Sequence, residues 1–530
     1  MRPLKILVSA KVAPAGLALL REAGTVDTYT HIGRDELKNA IGAYDALIVR
    51  GDTVVDEEVV AAGVNLKVIG RAGLEVDQID IPAATRHGVM VLNAPQGASA
   101  SHIEYTIGML LALSRRIPLA CAAARAGNWG ERESILGTEL REKTLGIIGF
   151  GRVGAGLAER ARSFHMKILA HDPFISKARG REMGAELTDL PSLLAQSDYI
   201  SLHIPLSEDS RHLLGAEAFG RMKPGVRVIN CARGGLIDET ALLAALQSGR
   251  VAGAALDGFE EEPLKADHPF LNMKQVICTP RLAARTLEAE NEVAVVVARG
   301  VLAALRAEPV ATSLNIPPVS RSVMETIRPY LILVEKMGAL AVHLTGGGIK
   351  SVEVSYNGEI SAVDTKMLTL GALKGILNPI LQEDVNFVNA PEVAKARGIT
   401  VTEFKSPDTE NFVDLITVKI KTDEAACEVA GTLFGRALGR IVRINGCRVD
   451  VEPQGWLLWI PHDNMPGMVG KVGLALGEKG ININSMQLAA TEDKNVSVMI
   501  LSIGQDVGKD VARALIALDG VHGVKKVVFN

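Results

Sequence analysis

The segment that most narrows the folds open to this chain is Thr144-Leu145-Gly146-Ile147-Ile148, an apolar run leading without a break into Gly149-Phe150-Gly151-Arg152-Val153-Gly154. Ala155 to Ser163, which follows, consists mostly of good helix formers. A strand, a G-x-G-x-x-G turn and a helix in that order open a dinucleotide-binding unit. Each glycine has a physical task there: the tight turn, close approach of backbone to pyrophosphate, and close packing of helix on strand. The helix N-terminus adds unpaired N–H groups and partial positive charge for the phosphates. Asp172 stands about 20 residues further on, at the end of the next strand-like run, where its carboxylate can accept both ribose hydroxyls. Its charge repels a 2′-phosphate, so NAD is expected rather than NADP. Arg152 lies inside the turn and is expected to contact the pyrophosphate. The rival reading of these residues is a nucleotide-free α/β turn with Asp172 as a helix cap.

The surrounding pattern agrees with the first reading. Thr144–Ile148, Lys167–Ala170, Tyr199–His203, Val226–Asn230, Ala252–Leu256 and Gln275–Cys278 are six strand-like runs with helical stretches between them, which predicts a Rossmann domain. Before it, Leu4–Val8, Ala46–Val49, Leu66–Ile69 and Val89–Leu92 predict another parallel sheet, and Ser101 to Arg115 predicts a long helix. Past Pro309 the character changes. Asn315-Ile316-Pro317-Pro318-Val319 reads as a stiff, turn-rich hinge and a domain boundary. Residues 321 to 455 mix helical and strand patterns. From Trp456 onward the order is β-α-β-β-α-β, the ferredoxin-like pattern.

A length of 530 residues calls for three or four domains, and 48% apolar residues rule out a disordered chain. The net charge of −4 gives no basic footprint for nucleic acid and no polybasic arm for a membrane. Cys121, Cys231, Cys278, Cys427 and Cys447 show no C-x-x-C spacing, so neither a disulfide framework nor a metal cluster is expected, and a reducing compartment fits best. Met1 to Val8 lacks the h-region of a signal peptide, and the longest apolar run, Val293 to Leu305, is interrupted by Arg299 and Gly300. A cytoplasmic multidomain protein is expected.

Two further segments carry a family resemblance. Asn230-Cys231-Ala232-Arg233-Gly234-Gly235-Leu236-Ile237-Asp238-Glu239 and Ala254-Ala255-Leu256-Asp257-Gly258-Phe259-Glu260-Glu261-Glu262-Pro263 resemble signatures of the D-2-hydroxyacid dehydrogenases. Gly70-Arg71-Ala72-Gly73 with Val76-Asp77, then Asn93-Ala94-Pro95, is similar to the phosphoglycerate-oxidising branch of that family. The resemblance covers the whole chain, including the intervening and ACT domains of the long form. It implies a flavodoxin-like substrate domain (1–96 plus 286–316) with the Rossmann domain (97–285) inserted. An α+β intervening domain (317–455) and a ferredoxin-like ACT domain (456–530) follow. It also implies NAD-dependent conversion of 3-phospho-D-glycerate to 3-phosphooxypyruvate for L-serine biosynthesis, by a homo-oligomer (dimer or tetramer) with serine as a possible effector.

Residue by residue, the resemblance makes Arg233 the clamp on the substrate's carboxylate and carbonyl, and Glu262 the partner of the catalytic histidine. Asp257 would hold the nicotinamide carboxamide. His203-Ile204-Pro205 would line the cofactor, as would Val153 and Cys231. Arg50 and Arg71 match the phosphate-side arginines. His462, Asn464 and Asn482 match the effector ligands.

Departures concentrate where substrate and proton chemistry are expected. Where the family has Pro-His-Leu-Gly-Ala-Ser, this chain reads Pro280-Arg281-Leu282-Ala283-Ala284-Arg285. Arginine does not release its proton in proteins and cannot replace a group titrating near neutrality. Arg281 is expected to form a fixed ion pair with Glu262. Glu75 replaces a glycine at the substrate end, Gly51-Asp52-Thr53-Val54 replaces a cationic stretch, and His102 appears near the expected cleft mouth as a conceivable proton carrier. Two alternatives therefore stay open: an NAD-binding, catalytically impaired paralogue with a regulatory role, and a dehydrogenase for another 2-hydroxy acid.

Overall fold

The structure, a computed structural model, describes residues 3–529 apart from 52, 74, 75, 96, 307, 309, 382–384, 410, 436 and 491–494, and omits the side chains of 321 and 509. Glu75 and Asp52 thus lie outside the described residues. The chain folds as two compact units, one of residues 94–296 with 12–16, the other of residues 1–11, 17–93 and 297–530.

The second unit begins with five parallel strands, β1 (Leu4–Val8), β2 (Gly24–Thr28), β3 (Ala46–Val49), β4 (Val68–Arg71) and β5 (Met90–Leu92), in the order β2-β1-β3-β4-β5. That is the flavodoxin-like order expected. β2 was not foreseen: Gly24-Thr25-Val26-Asp27-Thr28 has one apolar residue, because an edge strand need not bury both faces.

The mid-chain unit holds seven parallel strands, β6 (Thr144–Ile148), β7 (Lys167–His171), β8 (Glu186–Leu187), β9 (Tyr199–Leu202), β10 (Val226–Asn230), β11 (Val251–Leu256) and β12 (Val276–Cys278). Their order is β12-β11-β10-β9-β6-β7-β8. The six-strand expectation is corrected here: β8 is a two-residue edge strand, too short to leave a periodic signal. Separate apolar cores cover the two faces. One is built around Leu110, Leu157 and Ala161, the other around Leu193, Leu242 and Leu246. Burial on both faces explains why the inner strands read as unbroken apolar runs. The chain passes from β6 outward to β7 and β8, then returns to β9 on the other side. The carboxyl ends of β6 and β9 therefore flank the switch point at which open α/β sheets bind ligands.

The second unit continues with β13 (Ile349–Gly358), β14 (Thr400–Ser406), β15 (Asp414–Thr422), β16 (Ala426–Phe434), β17 (Leu438–Ile444) and β18 (Cys447–Val451), ordered β14-β13-β15-β16-β17-β18. Helices Arg321–Leu344 and Lys366–Leu377 supply Met337, Leu340 and Ile376 to a core shared with Val354, Ile416 and Val418 of this sheet. Last come β19 (Gly455–Asp463), β20 (Ile483–Ala490), β21 (Val496–Ile503) and β22 (Lys525–Phe529), antiparallel and ordered β20-β21-β19-β22, the ferredoxin-like arrangement.

Alternation along β19 sorts its side chains. Leu458 and Ile460 face the helices Met468–Gly477 and Lys509–Ile516, whereas Leu457 and Trp459 join the core of the preceding sheet. The last two sheets thus share one core. The expected hinge at 315–319 is tied down. Asn315 accepts from Val91 N–H at 2.9 Å and donates to the Val89 carbonyl at 2.9 Å.

Candidate active site

The glycine turn has the geometry a dinucleotide needs. Gly149 has φ +90°, a left-handed conformation that excludes most side chains, and a Cβ there would lie 2.5 Å from the His203 carbonyl oxygen. A Cβ on Gly154 would lie 2.2 Å from the Gly149 oxygen, so this glycine lets the helix Arg152–Arg162 press onto the turn. Gly151, which precedes that helix, differs: a Cβ there meets nothing within 4 Å. Its bareness is not required by protein packing, and leaves open space at a helix N-terminus with no side-chain cap. That is the cradle a pyrophosphate fills. Val153 is half-buried behind it, and Ile204 packs under the turn, its Cγ2 2.6 Å from a Cβ placed on Gly149.

Asp172 follows β7. One carboxylate oxygen accepts the Phe150 N–H at 2.9 Å, the other the Phe174 N–H at 2.9 Å. The carboxylate therefore fixes the glycine turn. Arg152 is exposed and donates to the Pro95 carbonyl at 3.2 Å.

The catalytic candidates sit on three loops at the carboxyl ends of β10, β11 and β12. Asn230, almost fully buried, accepts from the Ala232 N–H at 3.0 Å and donates to the Arg233 carbonyl at 2.6 Å. These bonds set the turn that presents Arg233, which is half-buried. A Cβ on Gly234 would collide with the Phe259 backbone, so the Arg233 turn packs directly on the next loop. In that loop Glu262 accepts the Phe259 N–H on one oxygen (3.0 Å) and Arg281 Nη1 on the other (3.0 Å). The expected Arg281–Glu262 ion pair is present. A Cβ on Gly258 would lie 3.5 Å from Glu262 Oε1 and 3.8 Å from the Arg233 carbonyl carbon, so the Glu262 carboxylate lies close to the Arg233 backbone.

Asp257 organises the third loop. It is 4% exposed, and its carboxylate accepts from Thr279 Oγ1 (2.6 Å), the Leu282 N–H (2.8 Å) and the Ala283 N–H (2.9 Å). Its backbone carbonyl accepts the Arg281 N–H at 3.1 Å, and its own N–H donates to the Asn230 carbonyl at 2.9 Å. The resemblance gave this carboxylate to the nicotinamide; its oxygens here hold the segment carrying Arg281. That segment needs holding, because Arg281 has φ +55°, uncommon for a residue with a side chain. Sequence reasoning missed the parts played by Asn230 and Thr279. The Asn-x-x-Arg spacing was a readable signal, since an asparagine caps the backbone two residues on.

His203 follows β9 and shares a 2.8 Å hydrogen bond between its Nε2 and Ser201 Oγ. Burial, with a smaller contribution from the charge of His102, pushes its imidazole down to about 3. His102 lies in the first turn of the helix Ser99–Arg115, its Nδ1 3.1 Å from the Ala98 carbonyl. Burial in the core around Leu157 pushes the Cys231 thiol up to about 12, so it behaves as an apolar group rather than a nucleophile.

In the other unit, Arg71 is buried at the end of β4, and Arg50 is half-buried after β3 with Nη1 3.3 Å from the Lys11 carbonyl. At the ACT end, His462 is 3% exposed. Its Nδ1 meets the Asp463 carbonyl at 2.8 Å, and its buried Nε2 has no hydrogen-bond partner among the described residues. Asn464 and Asn482 are exposed, and Asn482 donates to Asn484 Oδ1 at 3.0 Å. Among the described residues no group of three or more His, Cys, Asp or Glu is placed to hold a metal, and no single helix is long and apolar enough to cross a membrane.

Residues 107–283 match the family model of the D-isomer specific 2-hydroxyacid dehydrogenase NAD binding domain, and residues 326–445 match the D-3-phosphoglycerate dehydrogenase intervening domain. Solved structures similar to 59% of the chain include a glyoxylate reductase from Paecilomyes thermophila (31% identity, TM-score 0.54, 99% of that chain). The apo D-lactate dehydrogenase of Escherichia coli is another (27%, TM-score 0.53, 59% of this chain and 100% of that one). The chain belongs to the D-isomer-specific 2-hydroxyacid dehydrogenases, NAD-dependent oxidoreductases. Its full-length relatives place it in the D-3-phosphoglycerate dehydrogenase branch. Proteins of that name from Archaeoglobus fulgidus (39% identical, 98% of each chain) and Bacillus subtilis (38%, 99% of each) align from end to end.

Proposed function

We propose that this chain oxidises 3-phospho-D-glycerate to 3-phosphooxypyruvate with NAD, a step toward L-serine. The observation that carries this reading is the end-to-end likeness to D-3-phosphoglycerate dehydrogenases, 98% of both chains in the Archaeoglobus case. The open space at Gly151 and the closeness of the Glu262 carboxylate to the Arg233 backbone support it. The substrate's C2–H leaves as hydride and its hydroxyl as a proton, and NAD, when bound, supplies the hydride acceptor.

Gly149, Gly151, Arg152, Val153 and Gly154 would hold the pyrophosphate and Asp172 the ribose, with Ile204 and Cys231 lining the nicotinamide end. Arg233 orients the substrate's carboxylate and carbonyl through its rigid fork of donors. By the family likeness Arg50 and Arg71 would supply positive charge for the phosphate, and the charge of Glu75, outside the described residues, would reduce it. Arg281 keeps its own proton at every working pH. It contributes a fixed cation beside Glu262 that favours an alkoxide, and the hydroxyl proton passes to solvent. Asp257 holds that cation in place.

At the ACT end, His462 Nδ1 donates to the Asp463 carbonyl, which leaves the orphaned Nε2 as an acceptor suited to the ammonium of an amino-acid effector such as serine, with Asn464 and Asn482 completing the contact. We read the working form as a cytoplasmic homo-oligomer. Trp129 and Leu136, 73% and 84% exposed in the single chain, support a covered face. The test of the reading is NADH formation from 3-phospho-D-glycerate by the purified natural chain, followed by absorbance.

A further inference from the structure

We propose that the intervening region contains a pocket for a small apolar α-amino acid, separate from the ACT loops. A cavity of about 580 Å³ lies between the helix Lys366–Leu377, the helix Ala390–Ala396 and the edge strand β14. That volume is in the range of small-molecule sites. Its floor is apolar: Leu370, Leu373, Ala394 and Ile399 line it and are all buried. Its rim is charged, carrying Lys366, Lys395 and Glu403.

The two lysines are unlike their neighbours. Lys374 of the same helix pairs with Glu335 at 2.7 Å, and Lys405 donates to the Val363 carbonyl at 2.8 Å. Neither the Lys366 nor the Lys395 ammonium has a salt bridge or hydrogen bond among the described residues. Glu403 accepts one long bond, 3.4 Å, from Thr365. Two unpaired cations and one weakly engaged carboxylate over an apolar floor are complementary to a molecule with a carboxylate, an ammonium and a short apolar side chain. Inorganic phosphate leaves the floor unused, and a purely apolar ligand leaves three charges unmatched. An apolar α-amino acid meets all of these groups. Its carboxylate lies toward the lysines, its ammonium toward Glu403 and its side chain over Leu370 and Leu373. Pro317 lines the same cavity two residues after Asn315, which is bonded to β5 and its approach, so an occupant touches the connector between the first and third sheets.

Calorimetric titration of the full-length chain with L-leucine, L-valine and L-phenylalanine, and with their 2-oxo acids, tests this without reference to turnover. The expected result is saturable binding of at least one amino acid, with its 2-oxo acid roughly tenfold weaker. Lys366→Met/Lys395→Met should weaken binding by roughly tenfold or more. Because both lysines are exposed, the variant should keep the natural melting temperature. Leu373→Trp should abolish binding by filling the floor, and Asn482→Ala in the ACT region should leave it unchanged. The proposal is overturned if no amino acid binds at millimolar concentration, if the lysine variant binds as the natural chain does, if the 2-oxo acid binds equally well, or if Asn482→Ala removes binding.

Discussion

Arg281 Nη1 donates to Glu262 Oε2 at 3.0 Å, in a loop where Arg281 itself adopts φ +55°. The two side chains are 40% and 30% exposed, so the pair contributes at most about 1 kcal/mol to stability. Its significance is chemical: by the sequence resemblance, a permanent cation stands where the family has an imidazole that titrates. With a guanidinium there, proton release is left to solvent, and oxidation should speed up steadily as pH rises instead of levelling off above an imidazole pKa.

Arg281→His changes that dependence in a defined way. An imidazole beside Glu262 should add an ionisation near 7 to the profile of kcat/KM, with activity gained as the imidazole loses its proton. Arg281→Met, which removes the fixed cation that stabilises the alkoxide and supplies no base, should lower kcat by roughly 10²-fold. Initial rates across the pH range distinguish all three forms.

The glycines of the cofactor turn separate binding from folding. Gly151→Ala adds a methyl group into open space, so its melting temperature should stay close to that of the natural chain while NAD affinity falls by roughly tenfold or more. Gly154→Ala drives a methyl group to 2.2 Å from the Gly149 oxygen and should lower both. Thermal melts with and without NAD read the difference.

Asp257→Asn leaves a side chain of nearly the same shape but removes the charge that holds two N–H groups and a hydroxyl. A loss of about 1–3 kcal/mol in unfolding free energy is expected, with kcat falling because Arg281 is no longer fixed. If the carboxylate acted only on the nicotinamide, NAD affinity would change and apo-protein stability would not. Denaturant titration of the apo protein decides.

His203 makes stability depend on pH. Its folded-state pKa, about 3, lies below the ordinary histidine value of 6.5, so between those limits the unfolded chain binds a proton that the folded chain does not. This contribution to stability is fully present above 6.5 and is lost progressively as pH falls toward 3. His203→Gln should flatten that part of the profile, as read from urea midpoints at about pH 5 and about pH 8.

Much of this architecture was legible because parallel strands buried on both faces leave unbroken apolar runs. Thr144–Ile148 and Val226–Asn230 were located to the residue, as were Val496–Ile503 and Lys525–Phe529 at the ACT end. In the two parallel sheets the strands that escaped were Gly24–Thr28 and Glu186–Leu187, edge strands with little apolar content, and none of the six strands between Ile349 and Val451 was located. The Arg281–Glu262 pair could be anticipated from two opposite charges in known motifs. The loop contacts of Asp257 could not, because Thr279, Leu282 and Ala283 reach it only through the crossover from β11 to β12. The shared core of the last two sheets was also hidden. The unbroken apolar run Leu457 to Ile460 implies that both faces are covered, but not which neighbour covers each.

The most direct test of the central reading is NADH formation from 3-phospho-D-glycerate by the natural, unmutated chain. Turnover that rises with pH and is lost in Arg233→Met is expected. NAD binding without any NADH formation from this substrate, at every pH from about 7 to about 10, would contradict the reading.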